Sequence, residues 1–392
     1  MNAQSLTSVF TGGDGSIAGR LLRYAGIVLA VSLVLSLASI AWQGHAAFNT
    51  SNAGVTWGLP IITYLYLVLT ATGLTFIASL AMIFGLEEFY PVVKRCVWLS
   101  LAMLIAGFTA LALELGHPFR MLWALPTGMQ YVSPMFWMGV FYTLYLVLLA
   151  WKFQRIQSGD WHSPLSFSIG LASFVSVVIA HSTLGLVFGM MSMRPMWFDG
   201  FMATYFLVVA ALSGAAFIVI FTYLAYGFRQ ENMPKALRAL KSGTTLPKVF
   251  TTMIGLTIMM LVDRTVTGLW VNLDGFQVYQ EMARSFVYQL GFWGGLVLPF
   301  VLMLSPRHQR EARWQVLSAS LVMVGLYIGF FGYVIGGQRV PMFKGAWVPE
   351  LIDYVPSITE WAIAVAAFAL AVTIYAFGEK FLNLAAAPDG KD

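Results

Sequence analysis

Ten long apolar stretches constrain this chain more than any other feature of its sequence. A helix that crosses the hydrocarbon core of a bilayer needs about 20 mostly apolar residues, because each residue advances it by about 1.5 Å. In lipid, only helices and closed barrels satisfy their backbone polar groups, and these stretches are too long for barrel strands. The predicted spans are residues 22–42, 60–85, 95–114, 133–152, 165–191, 201–226, 248–271, 285–305, 314–336 and 355–378.

The composition agrees with a membrane protein. Of the 392 residues, 59% are hydrophobic and 10% are charged, whereas about a quarter of an ordinary soluble domain is charged. The single cysteine, Cys96, excludes an intrachain disulfide, a Cys-ligated iron–sulfur cluster and a Cys-cluster zinc site. We therefore predict an all-α polytopic membrane protein with ten transmembrane helices, arranged as two four-helix bundles plus two flanking helices.

The first apolar stretch has two interpretations. It could belong to a signal peptide, but its apolar part is longer than the roughly 7–15 residues that are usual there. We expect a retained helix instead. The predicted organisation is a cytoplasmic segment at residues 1–21, a transmembrane domain at 22–380 and a cytoplasmic tail at 381–392.

Lysine and arginine are distributed unevenly between the two sets of loops. Most of the 22 lie at the N-terminus, at the C-terminus and in every second connection, above all in the loop 227–248. Short cytoplasmic loops are enriched in these residues. We therefore predict that both termini are cytoplasmic in a bacterial inner membrane, that the basic runs are solvated, and that the net charge of +5 does not indicate nucleic acid. The few basic residues of the opposite loops are Arg120, Arg194, Arg284, Arg339 and Lys344.

Ionisable side chains within or beside the spans are candidates for function, because they are costly in hydrocarbon. Counting residues along each span places them in one layer toward the outer surface and leaves the inner halves almost without ionisable groups. The members of this layer are Glu114, His117, His181, Asp263, Arg264 and Glu360, with Tyr64 at the same level.

Each candidate also has a purely structural interpretation. Asp263 and Arg264 point about 100° apart on a helix and could each pair with a different neighbour. The remaining structural roles are a hydrogen-bonded bundle residue for His181, an ion pair with Arg120 for Glu114, a first-turn carboxylate for Glu360 and an aromatic-belt residue for Tyr64.

The sequence offers little that could hold a resident redox cofactor. A bis-histidine haem needs two histidines at matched depth, and only His181 lies clearly inside a span. No phosphate loop, dinucleotide fingerprint or nucleophile elbow occurs. A quinone fits better, because its flat ring needs few polar contacts and its reduction takes up protons from titratable side chains. We expect menaquinone or ubiquinone as a bound substrate, with no haem, iron–sulfur cluster or metal in this chain.

A set of short motifs follows the spans in order. Span 2 opens with WGLP at residues 57–60 and continues to Gly73, and span 3 ends with ELGHPFR at 114–120. Span 5 contains HSTLG at 181–185, and RPMW at 194–197 leads into span 6.

These motifs, with WVPE at 347–350 before Glu360, resemble the NrfD/PsrC family of polysulfide-reductase-type membrane subunits. The ten-helix branch, which includes DsrP-like and HybB-like proteins, is the most similar. Glu114 and His117 stand where the family usually has Asp and Arg. The resemblance implies a quinone site near the outer face and a docked ferredoxin-like subunit with four iron–sulfur clusters, often with a molybdopterin, hydrogenase or cytochrome subunit.

We therefore expect a quinone- or quinol-reactive membrane anchor of a respiratory oxidoreductase complex, which exchanges electrons with the iron–sulfur subunit at the periplasmic face. One competing function is that of a secondary transporter, whose helices are often broken near the middle of the membrane. The other is redox-linked proton translocation, which would need a polar route to the inner face. The spans look unbroken apart from glycines, and we expect proton exchange at the outer side only. The assigned residues are His181 and Glu114 as catalytic groups, Tyr64, His117, Trp57 and Arg194 around the quinone, and Asp263, Arg264 and Glu360 as a proton route or structural pair.

Overall fold

A computed structural model describes residues 16–51, 54–241, 245–271, 276–341 and 351–388. Within these ranges ten helices are long and apolar enough to cross a membrane, and no residue lies in a β-strand, which confirms the predicted fold class. The helices are α1 (Ile17–Gln43), α2 (Leu59–Met82), α3 (Tyr90–Glu114), α4 (Pro134–Gln157), α5 (Pro164–Gly189), α6 (Met202–Ala225), α7 (Leu246–Trp270), α8 (Phe286–Leu304), α9 (Ala312–Arg339) and α10 (Ile358–Phe381). The connections contain the short helices Pro118–Gly128, Lys235–Lys241 and Gln277–Arg284. The outer end of each helix is the end that the basic loops predict to face the periplasm.

Several helices begin at residues that commonly occur at helix N-termini. The side chain of Ser16 caps α1, which therefore begins at Ile17, inside the segment 1–21 that was predicted to precede the first span. A proline needs no N–H partner in the first turn of a helix. Prolines occupy this position at the starts of α2, α3, α4 and α5, as Pro60, Pro91, Pro134 and Pro164.

Helix α2 lies at the centre of the molecule and is almost completely buried. It packs against α3, α5, α6, α9 and α10. Helices α4 and α5 pair beside it, and α6 packs against α7 and α9 in the second half of the chain. Helix α1 packs mainly on α10, which itself lies against α3. The arrangement agrees with two groups of four helices and a flanking pair, α1 and α10.

Glycines allow α2 and α6 to cross in backbone contact. A Cβ atom on Gly73 would lie only 1.7 Å from the backbone oxygen of Ala210, and one on Gly214 would lie 2.1 Å from the carbonyl carbon of Gly73. Next to the crossing, the hydroxyl groups of Thr70 and Ser213 are 2.6 Å apart. Small residues and interhelical hydrogen bonds drive helix association in lipid, where apolar side chains gain little by leaving it.

Helix α8 is not a regular α-helix, although its span looked unbroken in the sequence. Its middle section, Leu290–Val297, has π-helical hydrogen bonding. Gly295 in this section packs against Gly325 of α9 so closely that a Cβ on Gly295 would lie 2.4 Å from the Cα of Gly325. The wider turn and the glycine pair bring α8 and α9 together.

Some basic residues near the inner ends of the helices are buried, and their interpretation as solvated loop residues is wrong. Arg95 is 1% exposed and forms an ion pair with Glu379 of α10. Lys241 is also 1% exposed and donates a hydrogen bond to the backbone oxygen of Val219 at 3.0 Å. Lys152 is buried as well. Because hydropathy counts residues and not contacts, it could not show that helix packing encloses these charges.

Candidate functional site

The N-terminus of α2 is held by a buried carboxylate from the outer end of α3. Glu114 accepts hydrogen bonds from the backbone N–H groups of Gly58 at 3.0 Å and of Ile61 at 2.9 Å. The first N–H groups of a helix have no acceptor within the helix and carry partial positive charge, so they satisfy a carboxylate without a counter-ion. Glu114 therefore fixes α3 to α2, while Arg120 is exposed in the groove described below.

A second carboxylate reaches the same helix end from α10. Glu360 forms a capping box with Ser357, as its structural interpretation predicted. It also accepts a hydrogen bond at 2.6 Å from the hydroxyl of Tyr354, and that hydroxyl accepts one from the backbone N–H of Leu59 at 2.9 Å. Burial and the bond to Glu360 raise the pKa of Tyr354, so this phenol stays protonated. Two buried carboxylates thus meet at the start of α2.

The glycine of the WGLP motif makes this meeting possible. A Cβ atom on Gly58 would lie 2.0 Å from Oε1 of Glu360 and 2.8 Å from the hydroxyl oxygen of Tyr354. Any other residue would push the carboxylate away, because a Cβ atom cannot approach an oxygen so closely. This close packing explains why the motif has a glycine at position 58.

The neighbouring polar contacts are structural as well. Gln338 of α9 is fully buried and accepts hydrogen bonds from the backbone N–H groups of Thr56 at 2.9 Å and Trp57 at 2.8 Å. Arg194 donates to the backbone oxygen of Gln338 at 3.1 Å. The Trp57 ring stacks on Trp197, with 5.3 Å between ring centroids. Trp57 and Arg194, which were predicted beside a quinone, connect outer loops through these contacts. The sequence interpretation missed Gln338, because this residue lies just beyond the predicted span 314–336, whereas α9 extends to Arg339.

His181 is fully buried among α2, α4 and α5. Its Nδ1 lies 2.9 Å from the hydroxyl of Tyr142 and 3.1 Å from Oγ1 of Thr72. A row of aromatic rings leads from this histidine toward the outer surface, because Tyr142 contacts Phe108 and Phe108 contacts Tyr64. Tyr64 is itself buried, so it does not belong to an aromatic belt.

The common depth expected for the ionisable residues is wrong for His181. Its partner Thr72 lies about three turns beyond Ile61, which corresponds to about 16 Å along α2 at the helical rise. Glu114 contacts Ile61 itself, so His181 lies much deeper in the membrane than Glu114. Counting from the cytoplasmic end of each span misses this difference, because the helices differ in length and in the height at which they begin.

An open groove of about 480 Å³ lies at the outer end of α3, where the short helix Pro118–Gly128 begins. Its aromatic side chains are unusually exposed, with Phe119 74% and Trp123 56% accessible. A histidine and an arginine provide polar contacts beside these rings. The groove is lined by Gly116, His117, Phe119, Arg120 and Trp123.

Asp263 and Arg264 do not pair with each other. The Nε of Arg264 lies 3.4 Å from Oδ2 of Asp199 in the loop before α6, and its guanidinium group donates to the backbone oxygen of Met196. The guanidinium carbon also lies 4.7 Å from the ring centroid of Tyr333. Arg264 thus ties the outer loop to α7 and α9. Asp263 is exposed on the outward side of α7.

Comparison with known proteins places the chain in a family. It matches the model of the family described as "Polysulphide reductase, NrfD" over residues 48–342. The chain belongs to the NrfD family. A selenate reductase subunit of Mesobacillus selenatarsenatis is 25% identical over 370 residues, which cover 83% of this chain and 82% of the relative. The Hdr-like menaquinol oxidoreductase integral membrane subunit of Archaeoglobus fulgidus is 21% identical over 346 residues, again with 83% and 82% covered.

Family membership confirms the resemblance that the motifs indicated. In this NrfD chain the WGLP and ELGHPFR motifs meet through Glu114 and Gly58, whereas WVPE at 347–350 lies outside the residues that the structure describes. Across the described ranges, no three His, Cys, Asp or Glu side chains group in a way that could hold a metal ion. The exposed rings and N–H donors of the groove suit a hydrogen-bonding ligand instead.

Proposed function

We propose that this NrfD chain is the quinone-reactive membrane subunit of a respiratory oxidoreductase complex, and that it exchanges electrons with an iron–sulfur subunit docked at the periplasmic face. The names of its relatives support the class of complex, since one is a reductase subunit and another is a menaquinol oxidoreductase subunit. The lipid-soluble substrate would reach the chain from the bilayer, and the electrons would pass to the clusters of the docked protein.

The observation that carries this proposal is the groove at the outer end of α3. Phe119 and Trp123 offer aromatic faces to a flat ring, and His117 and Arg120 offer N–H donors to its carbonyl oxygens. In the predicted orientation, the groove would open at the periplasmic boundary of the membrane, where a membrane-dissolved quinone and an extramembrane protein could both reach it.

Quinol oxidation releases two electrons and two protons for each ring. In the groove, the imidazole of His117 would accept the two protons in turn and pass each to the external water, since histidine is the side chain that most often acts as a general base. The electrons would leave one at a time to an iron–sulfur cluster of the docked subunit. Reduction of a quinone would follow the same steps in reverse.

The other predicted residues take supporting roles in this proposal. Glu114 lies two residues before Gly116 and anchors the rim of the groove to α2. Tyr64 and Tyr142 would continue the aromatic row inward, and His181 would hold that row in place through Tyr142. The deep position of His181 makes it a positioning residue here, not the first acceptor of protons.

A matched pair of histidine variants tests the assignment. We expect His117→Ala to lower the rate of menadiol oxidation by the purified complex at least tenfold, because general acid–base groups typically contribute about 100-fold or more. His162, exposed in the loop before α5, provides the control, and His162→Ala should keep the wild-type rate. If the two variants oxidise menadiol at equal rates, the groove is not the quinone site.

A further inference from the structure

A second recess lies in the other half of the molecule, among α6, α7, α8 and α9. Its empty space amounts to about 680 Å³ including the open mouth, but only about 50 Å³ of this is wide enough for the centre of a water molecule. We call this recess the slot; its walls include Tyr205, Tyr288, Phe292, Gly325 and Gly329.

The walls of the slot combine aromatic and glycine surfaces. The rings of Tyr288 and Phe292 stack with an interplanar angle of 4° along α8. Gly291 lies in the π-helical section of α8, and Gly325 faces it from α9. Gly325 therefore both packs against Gly295 of α8 and lines the slot. π-Helical sections are rare and frequently occur at functional sites.

The polar groups at the slot are mostly hydrogen-bond donors. Among the residues described, the hydroxyl of Tyr205 makes no hydrogen bond, and that of Tyr288 pairs with Oγ1 of Thr265 at 2.9 Å. Arg264 also lines the slot, but Asp199 lies 3.4 Å from its Nε. Because this carboxylate already balances the guanidinium charge, the slot suits an uncharged oxygen acceptor such as a ring carbonyl better than a phosphate.

The slot opens to the side surface of the helix bundle at Gly329 of α9. This residue is exposed, and no atom lies within 4 Å of the position that its Cβ would occupy. It lies in the middle of a membrane-spanning helix, so the surface around it contacts acyl chains. A ligand that enters here must be soluble in the bilayer.

We propose that this slot binds the ring of a lipid-soluble quinone at a site separate from the groove beside His117. The aromatic and glycine walls suit a planar ring, and the opening at Gly329 suits a ligand that arrives through the membrane. The Tyr205 hydroxyl, which has no hydrogen-bond partner among the described residues, and the arginine balanced by Asp199 suit carbonyl oxygens. The proposal concerns binding alone, and it goes beyond the proposed function because it does not depend on electron transfer at the groove.

Two glycines on α9 provide a matched test. Gly329→Leu would place a side chain in the mouth of the slot, whereas Gly332 has equally open space at its Cβ position but does not line the slot. Isothermal titration of the purified full-length chain with menadione should show two sites for the wild type and for Gly332→Leu, and one site for Gly329→Leu. A milder variant, Tyr205→Phe, should weaken the slot site about five- to tenfold, as expected for one lost hydrogen bond.

The outcomes separate this inference from the proposed function. Unchanged stoichiometry in Gly329→Leu together with unchanged affinity in Tyr205→Phe would overturn the slot proposal. A wild type with a single site that His117→Ala removes would overturn it too. If a single site is lost in Gly329→Leu but kept in His117→Ala, the slot proposal stands and the groove loses its role as a quinone site.

Discussion

Tyr354 joins α2 to α10 through one hydroxyl group. It accepts a hydrogen bond from the N–H of Leu59 and donates one to Glu360. Removing that hydroxyl leaves both partners unsatisfied in a largely buried site, which costs about 1–3 kcal/mol. We expect Tyr354→Phe to lower the midpoint of thermal unfolding in detergent, while Tyr131→Phe, which alters an exposed tyrosine, should leave it unchanged.

The same residue predicts a pH dependence. The pKa of Tyr354 is raised above its ordinary value of 10.0 in the folded chain, so the unfolded chain loses this proton first as the pH rises. The stabilisation is complete below about pH 10 and is lost above it. The wild type should therefore lose more stability than Tyr354→Phe between pH 9.5 and 11, roughly the range around that ordinary value. Parallel unfolding curves for the two proteins across this range would contradict the role of this phenol.

At the scale of helices, the contact between α8 and α9 depends on one glycine of an adjacent pair. A Cβ on Gly295 would lie 2.4 Å from the Cα of Gly325, whereas one on Gly294 would meet only Cδ1 of Leu290 at 3.5 Å, an ordinary contact. Because backbone cannot move aside as a side chain can, Gly295→Ala should destabilise the chain by about 1–3 kcal/mol. Thermal unfolding of the two alanine variants checks this, and similar melting of both would show that α8 and α9 are not tightly packed here.

The sequence predicted the helices well but not the contacts between them. Each span follows from local hydropathy, and the start of α10 follows from Ser357 and Glu360, which lie three residues apart. By contrast, the π-helical section of α8 packs through Gly295 against Gly325, a residue of the next helix. A pattern within one segment carries no information about such a partner.

In the candidate site, too, the sequence indicated residues but not the contacts between helices. The motifs contain Gly58 and Glu114, but the sequence did not show that this carboxylate accepts hydrogen bonds at the start of α2, since Glu114 lies on α3. The depth of His181 was misjudged because it depends on the relative heights of α2 and α5. Tyr354 was missed, because nothing in the sequence distinguishes this loop tyrosine from others. Its hydrogen bond to Glu360 appears only in the structure.

Across the whole molecule, the two halves present different recesses to the bilayer and the outer surface. The groove beside His117 is open and lies at a helix end, whereas the slot beside Gly329 is narrow and lies within the bundle. Between them, the polar contacts around Glu114, Glu360 and Gln338 hold α2 to its neighbours.

The predicted orientation of the chain can be tested with its own cysteine left in place, because Cys96 is fully buried. Met193, 71% exposed in the loop between α5 and α6, belongs to the side poor in lysine and arginine, and Ser158, exposed between α4 and α5, to the basic side. Since basic loops stay in the cytoplasm, a membrane-impermeant maleimide should label Met193→Cys in intact spheroplasts. It should label Ser158→Cys only after permeabilisation. The reverse pattern would place the groove on the cytoplasmic face, and the iron–sulfur partner would then have to dock there.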